Sequence, residues 1–357
     1  MDPTKAAKIK KRTFVGAGLA AAVAALLWIA AVDTQYVAVP LFGLLMAAGG
    51  ALELSRMGKF GGRGWIVPLA AAFAAVCLAH WVRLVYRGAD FVGQLPERWW
   101  MDYLAAGFTA CLLTPLRRVP CGPFGLFRAV AVVVGVAAAF LLFSEAQQVE
   151  WIDGISGVEN ELLVGGAMVA LVLFYELVLQ RFLPWGRTTS ALDSLLPIGV
   201  ALWAVPALPA LAYVDRWLGV QGLGALLLLS KIGDVFGYYV GSAIGKSHPF
   251  PKLSPGKTTA GCVGSLVAAC AFGAACVWWG LLPAAPCGYL GGVLAGGVVN
   301  LASQAGDLLE SKAKRSASVK DSGALFGPSG GFLDLTDSLL LSVPVALVAW
   351  PLLFAAG

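Results

Sequence analysis

The stretch AGCVGSLVAACAFGAACVWWGLL, residues 260 to 282, carries no charged side chain. An α-helix needs about 20 predominantly apolar residues to cross roughly 30 Å of hydrocarbon, and this stretch supplies that length. It is not an isolated case. Apolar runs of similar length recur near 14 to 32, 36 to 55, 65 to 82, 102 to 116, 126 to 144, 162 to 180, 191 to 213, 217 to 245, 287 to 310 and 338 to 356. The whole chain of 357 residues is 59% hydrophobic and 13% charged, with a mean hydropathy of +0.80. Those values lie outside the range of soluble globular domains. The expected fold class is therefore all-α: a polytopic integral membrane protein with roughly nine to eleven transmembrane helices.

Charge between the runs orients the chain. Lys5, Lys8, Lys10, Lys11 and Arg12 precede the first run, and lysine and arginine favour the cytoplasmic side, so the N-terminus is expected inside. Alternation then puts Arg56, Lys59 and Arg63, Arg117, Arg118 and Arg128, and Arg181 and Arg187 inside as well. The loop with Glu145, Glu150, Asp153, Glu159 and Glu161 falls outside; Arg83, Arg87 and Arg98 sit outside against the rule. Residues 246 to 257 and 307 to 337 share the cytoplasmic side on this scheme. The first run has the basic start of a signal peptide but is long for one, and no soluble secreted domain follows. Residues 1–215 read as N-terminal transmembrane helices and 216–357 as a C-terminal catalytic region, together one membrane domain.

Several function classes drop out. The net charge of +5 is what basic cytoplasmic loops alone produce, and gives no indication of nucleic acid. Seven cysteines without CxxC spacing and only His80 and His248 leave little for a zinc site or a Ser/His/Asp triad. PKLSPGKTTAG, 251 to 261, is no Walker loop, because Pro251 stands where its first glycine is needed. Its hydroxyls, backbone amides and Lys257 still suit a phosphate, although a basic interfacial loop has the same composition.

Acids within membrane helices are costly and mark functional sites. Asp234 lies in SKIGDVFGYYVG, 230 to 241, where Lys231 three residues earlier is positioned to neutralise it, and Asp307 lies in NLASQAGDLLESKAKR, 300 to 315. Glycines recur every fourth residue at 233, 237, 241 and 245, and again at 288, 292 and 296. Such stripes allow close helix approach, and if the two faced each other they would bring Asp234 and Asp307 near one cavity. The segment KDSGALFGPSGGFLDLTD, 320 to 337, adds Asp334 and Asp337, which share a face at helical spacing. Asp307, Glu310 and Ser311 form a similar face one element earlier. Grouped carboxylates without histidine favour Mg²⁺, and Lys312, Lys314, Arg315 and Lys320 between them suit a polyanion. Acids for metal with bases for phosphate point to phosphoryl or nucleotidyl transfer.

These residues resemble the phosphatidate cytidylyltransferases. Ser311, Lys314, Arg315, Lys320, Asp321, Gly323, Gly327, Gly330, Gly331, Asp334 and Asp337 fall on that family's C-terminal signature at its spacing. Gln304, Gly306, Asp307, Leu308 and Glu310 are similar to its lead-in. Ser254, Pro255, Lys257, Thr258 and Gly261 are similar to its Ser-Pro-x-Lys-Thr-x-x-Gly loop, and Asp234 and Tyr238 to the helix before it. Ser329, Leu335 and Ala260 depart from the pattern, which has His, Arg and an acid there. The resemblance implies cytidylyl transfer from CTP to phosphatidate, giving CDP-diacylglycerol and pyrophosphate, on the cytoplasmic face of a bacterial inner membrane, by a homodimer. It implies catalytic roles for Asp307, Asp334, Asp321 and Lys320, and Mg²⁺ with room for a second cation at Asp307, Asp334, Asp337 and Asp234. Ser254, Lys257, Thr258, Ser311, Lys314 and Arg315 would bind substrate. A CTP-dependent membrane lipid or polyprenol kinase and a secondary transporter stand as alternatives; the first should lack the long signature and the second should show repeated halves.

Overall fold

The computed structural model describes residues 3–33, 38–56 and 210–354 except 252, 285, 317, 318, 328 and 329, together with positions 99, 100, 103, 167, 170, 207 and 208. The runs expected at 65 to 82 and 126 to 144, all of 102 to 116 but position 103, all of 162 to 180 but positions 167 and 170, and most of 191 to 213 fall outside these residues, as does Ser329. Every regular element among the described residues is helical: α1 (Pro3–Val32), α2 (Ala38–Arg56), α3 (Leu211–Ile244), α4 (Thr259–Trp278), α5 (Gly288–Ser316), α6 (Phe332–Thr336) and α7 (Leu339–Phe354). Three stretches among them are long and apolar enough to cross a membrane: Leu211–Ile244, Thr259–Trp278 and Phe332–Phe354. The chain is an all-α membrane protein.

Contacts divide the chain into two units. One contains α1 and all elements from α3 to α7. Within it α4 packs against both α3 and α5, and α5 packs against α7. Leu27 of α1 lies over Gly224 of α3. In the other unit, Trp99 meets Tyr103 edge-on with ring centres 6.1 Å apart.

Local sequence explains the helix limits. α3 is 34 residues long but leaves helical geometry at Gly219, with φ 67° and ψ −174°, so the run expected at 217 to 245 is its part beyond a kink. Thr258 caps α4, its hydroxyl accepting from the Gly261 amide at 3.1 Å. Exposed Trp278, Trp279 and Tyr289 surround the α4–α5 turn, the aromatic placement expected at a membrane–water boundary. The other end of the bundle gathers the end of α3, the start of α4, the end of α5 and the start of α6.

The glycine stripes do not face each other. Both face α4. A methyl group on Gly237 or Gly241 would press on Gly261 or Thr258, whereas one on Gly292 or Gly296 would strike the backbone of Gly273 or Ala269. Between these seams runs a buried polar ladder. Asn300 Nδ2 donates to Ser265 Oγ at 2.9 Å, Gln304 Nε2 donates to Asn300 Oδ1 at 2.7 Å, and Ser303 Oγ donates to the Ser230 carbonyl at 2.8 Å. Gly233 makes room for it, since a Cβ there would collide with both Asn300 and Ser265. α4 thus acts as the spacer that sets α3 and α5 in register.

Candidate active site

Register brings acids from α5 and the α6–α7 junction together. One oxygen each from Asp307, Glu310 and Asp337 lie within 4.8 Å of one another. Asp307 and Glu310 are one turn apart on α5. Asp337 arrives from the end of α6, and Gly306 permits the approach, because a side chain there would meet the Asp337 carbonyl. Two carboxylates at such a spacing repel by about 3 to 4 kcal/mol at an effective dielectric constant near 20. A group like this needs positive charge.

Three lysines supply it, each from a different segment. Lys257, in the loop before α4, lies 2.5 Å from Asp307 Oδ2. Lys231, on α3, lies 3.2 Å from Asp337 Oδ1. Lys314 meets Glu310 one turn earlier on α5 and also Asp334 Oδ1 at 2.8 Å. Lys314 lies beyond the apolar run that ends at 310. Burial opposes its charge, but the hydrogen bonds it donates to Asp334 and Glu310 outweigh that and hold the ammonium above the ordinary lysine range. Asp234, exposed on α3, lies within electrostatic range of Lys231, Asp337 and Asp307.

Asp334 occupies a different position from its neighbour three residues on. Its Oδ2 accepts from the Ser322 amide at 2.9 Å, the Ser322 hydroxyl at 2.7 Å and the Gly331 amide at 2.8 Å, while Oδ1 takes Lys314. Both oxygens are spent inside the protein. Asp334 therefore folds the loop before α6 over the end of α5. Gly330 is required there twice over: its φ is +83°, and a Cβ would strike the Asp334 carboxylate.

The remaining residues expected from the sequence spread around this centre. Thr258 is buried with its hydroxyl used as the cap of α4. Ser254 is half-buried in the preceding turn, its carbonyl accepting from the Lys257 amide at 3.2 Å. Ser311 is buried beside Glu310. Arg315 is exposed and donates to the Val319 carbonyl at 3.3 Å, and Lys320 and Asp321 are exposed on the loop. Two participants were not selected from the sequence: Glu310, read there as part of a helix face, and Lys231, read there as a neutraliser of Asp234.

The donor set fits a hard divalent cation. All three converging groups are carboxylates, the chemistry that Mg²⁺ prefers. Glu310 is 4% exposed, and its Oε1 has no hydrogen-bond partner among the described residues. A buried carboxylate oxygen without a donor is a group that a bound cation can satisfy.

The sequence profile of the cytidylyltransferase family matches residues 10–353. The chain belongs to that family. Its similarity to individual members is uneven. The phosphatidate cytidylyltransferase of Pseudomonas aeruginosa is 30% identical over 268 residues, 70% of this chain and 96% of that one. The phosphatidate cytidylyltransferase of Aquifex aeolicus is 40% identical over 114 residues, 32% of this chain and 41% of its own length. That of Chlamydia trachomatis is 33% identical over 172 residues, 45% of this chain and 54% of its own. Against these last two, the chain spans about half the relative's length or less. In this cytidylyltransferase-family chain, the acids and lysines converge where the loop before α4, the end of α5 and the start of α6 meet.

Proposed function

We propose that the chain transfers a cytidylyl group from CTP to phosphatidate, giving CDP-diacylglycerol and pyrophosphate. The observation that carries this reading is the cluster of Asp307, Glu310 and Asp337, each matched to a lysine from a separate segment, at one end of a membrane bundle. Such a place can meet a nucleotide from water and a lipid from the leaflet. The names of the similar proteins support the same substrates.

A phosphatidate oxygen is already anionic near neutral pH, so it attacks the α-phosphorus of CTP without a strong base. One P–O bond forms to the lipid phosphate, the bond from the α-phosphorus to the bridging oxygen breaks, and pyrophosphate leaves with that oxygen's electron pair. The burden on the protein is alignment and charge neutralisation. Asp307, Glu310 and Asp337 would hold a divalent cation, Mg²⁺ by donor type, with Asp234 near enough to attract a second. Bound there, the cation supplies Lewis-acid neutralisation of phosphate oxygens. Lys257 stands beside both Asp307 and the start of α4, where helix amides favour an anion, and is assigned to the triphosphate. Ser254 flanks it. Lys320, Asp321, Arg315 and Ser311 border the loop side, where the lipid phosphate or departing pyrophosphate would lie.

Asp334 is assigned a positioning role: it locks the 320–331 loop and shares Lys314 with Glu310. On this reading residues 216–357 form the catalytic region facing the cytoplasm from a bacterial inner membrane, residues 1–215 form its transmembrane support, and two copies associate. Detergent-purified protein given CTP, phosphatidate and Mg²⁺ should release pyrophosphate in equal amount to CDP-diacylglycerol detected by mass spectrometry, and excess EDTA should stop both. Pyrophosphate release without phosphatidate, or product formation undiminished in EDTA, would contradict the reading.

A further inference from the structure

Lys231 sits on a helix otherwise rich in leucine and glycine, three residues from Asp234, yet its ammonium reaches Asp337, 106 positions away in sequence. Its environment differs from that of Lys314. Lys314 is held by two carboxylates and its side chain is 12% exposed, whereas the Lys231 side chain is 44% exposed with Asp337 as its hydrogen-bonding partner. Asp337 Oδ1 also accepts from the Ser338 amide at 2.6 Å, so the carboxylate keeps a partner if the lysine leaves. Lys231 is thus the counter-ion of one member of the acid cluster, on a long, flexible stem that is partly exposed.

A divalent cation among Asp307, Glu310 and Asp337 supplies the charge that Lys231 otherwise provides. The ammonium then loses its hydrogen-bonding partner Asp337, though it stays near Asp234, while phosphate arrives as an unpaired anion. We propose that Lys231 is an exchangeable phosphate-binding residue, resting on Asp337 when the cluster lacks a cation and moving to a substrate phosphate oxygen when a cation takes that carboxylate. This rests on the cytidylyl-transfer reading of the site. It deepens that reading by adding a cation that competes with the metal and cooperates with the anion. The two roles pull in opposite directions, which separates them from a merely structural ion pair.

The test uses full-length protein and reads binding rather than turnover. Mn²⁺ alone is titrated into the wild type, Lys231→Met, Lys231→Gln and Lys231→Arg, with free Mn²⁺ followed by electron paramagnetic resonance. CTP and a short-chain phosphatidate are then titrated separately into each protein at saturating Ca²⁺. Loss of a competing, partly exposed ammonium should tighten Mn²⁺ binding by roughly two- to fivefold in Met and Gln. Loss of a charge-assisted hydrogen bond should weaken one phosphate ligand on the order of tenfold, and whether CTP or phosphatidate weakens identifies which phosphate Lys231 takes. Lys231→Arg should restore phosphate binding. Unchanged or weaker Mn²⁺ binding in both neutral variants, or unchanged binding of both phosphate ligands, overturns the proposal. Failure of both neutral variants to fold overturns it too, because a lysine that must stay on Asp337 cannot exchange. A wild type that binds no Mn²⁺ would instead sink the metal-site reading itself.

Discussion

Replacing Asp334 by asparagine is isosteric, yet the surroundings of this carboxylate allow no comfortable amide. Oδ2 faces three donors, from Ser322 and Gly331, and Oδ1 faces the Lys314 ammonium. An amide has one acceptor oxygen, so either its NH₂ points at the three donors or it points at the lysine. The second orientation costs less. It weakens three charge-assisted hydrogen bonds to neutral ones, about 1 kcal/mol each, and removes the Lys314 contact, worth about 1.5 to 3 kcal/mol. With the carboxylate only 11% exposed, little water relieves the loss. The total is about 4.5 to 6 kcal/mol, lost from the loop before α6. The variant should therefore lower the thermal midpoint by several degrees, speed proteolysis between 320 and 331, and reduce CTP-dependent lipid labelling by more than tenfold. Its Mn²⁺ binding should be weakened but still measurable, since a positioning residue acts on the cation only through the groups it orients and donates no oxygen itself. A variant with wild-type midpoint and proteolysis but no Mn²⁺ binding would refute this, and would place Asp334 among the metal ligands.

Asp307→Asn should show the converse: Mn²⁺ affinity falling by at least tenfold with the midpoint held or raised, because one of three mutually repelling carboxylates is gone; isothermal titration and a melting curve decide it. Gly296→Ala should separate α4 from α5, since even a methyl meets the Ala269 carbonyl, and lower the midpoint while moving Asp307 out of register; full activity in that variant would show that the seam tolerates separation. Cysteine introduced at position 320 should be labelled only from the cytoplasmic side and at position 153 only from outside, and the reverse pattern would invert the topology.

The spans were legible because hydropathy is local: a run such as 260 to 282 announces its helix without reference to anything else. The cluster was half legible. Spacing placed Asp307 and Glu310 on one face correctly, since both belong to one continuous helix. Spacing also placed Asp334 beside Asp337, but α6 is short and its first turn is organised by the preceding loop, so Asp334 turns back to Ser322 while Asp337 reaches Lys231. Lys231 was paired with Asp234 by proximity along one helix, a rule that knows nothing of a carboxylate arriving from another element. The two glycine stripes were visible as close-packing surfaces, but no pattern within either could say that a third helix, α4, would be the partner of both.

Two labels on CTP put the central claim to the most direct measurement. Purified protein is incubated with phosphatidate, Mg²⁺ and CTP carrying ³²P at either the α or the γ position, and the chloroform-soluble lipid is counted. Cytidylyl transfer predicts α-label in the lipid and γ-label wholly in water as pyrophosphate; γ-label in the lipid, or neither label there, would contradict it.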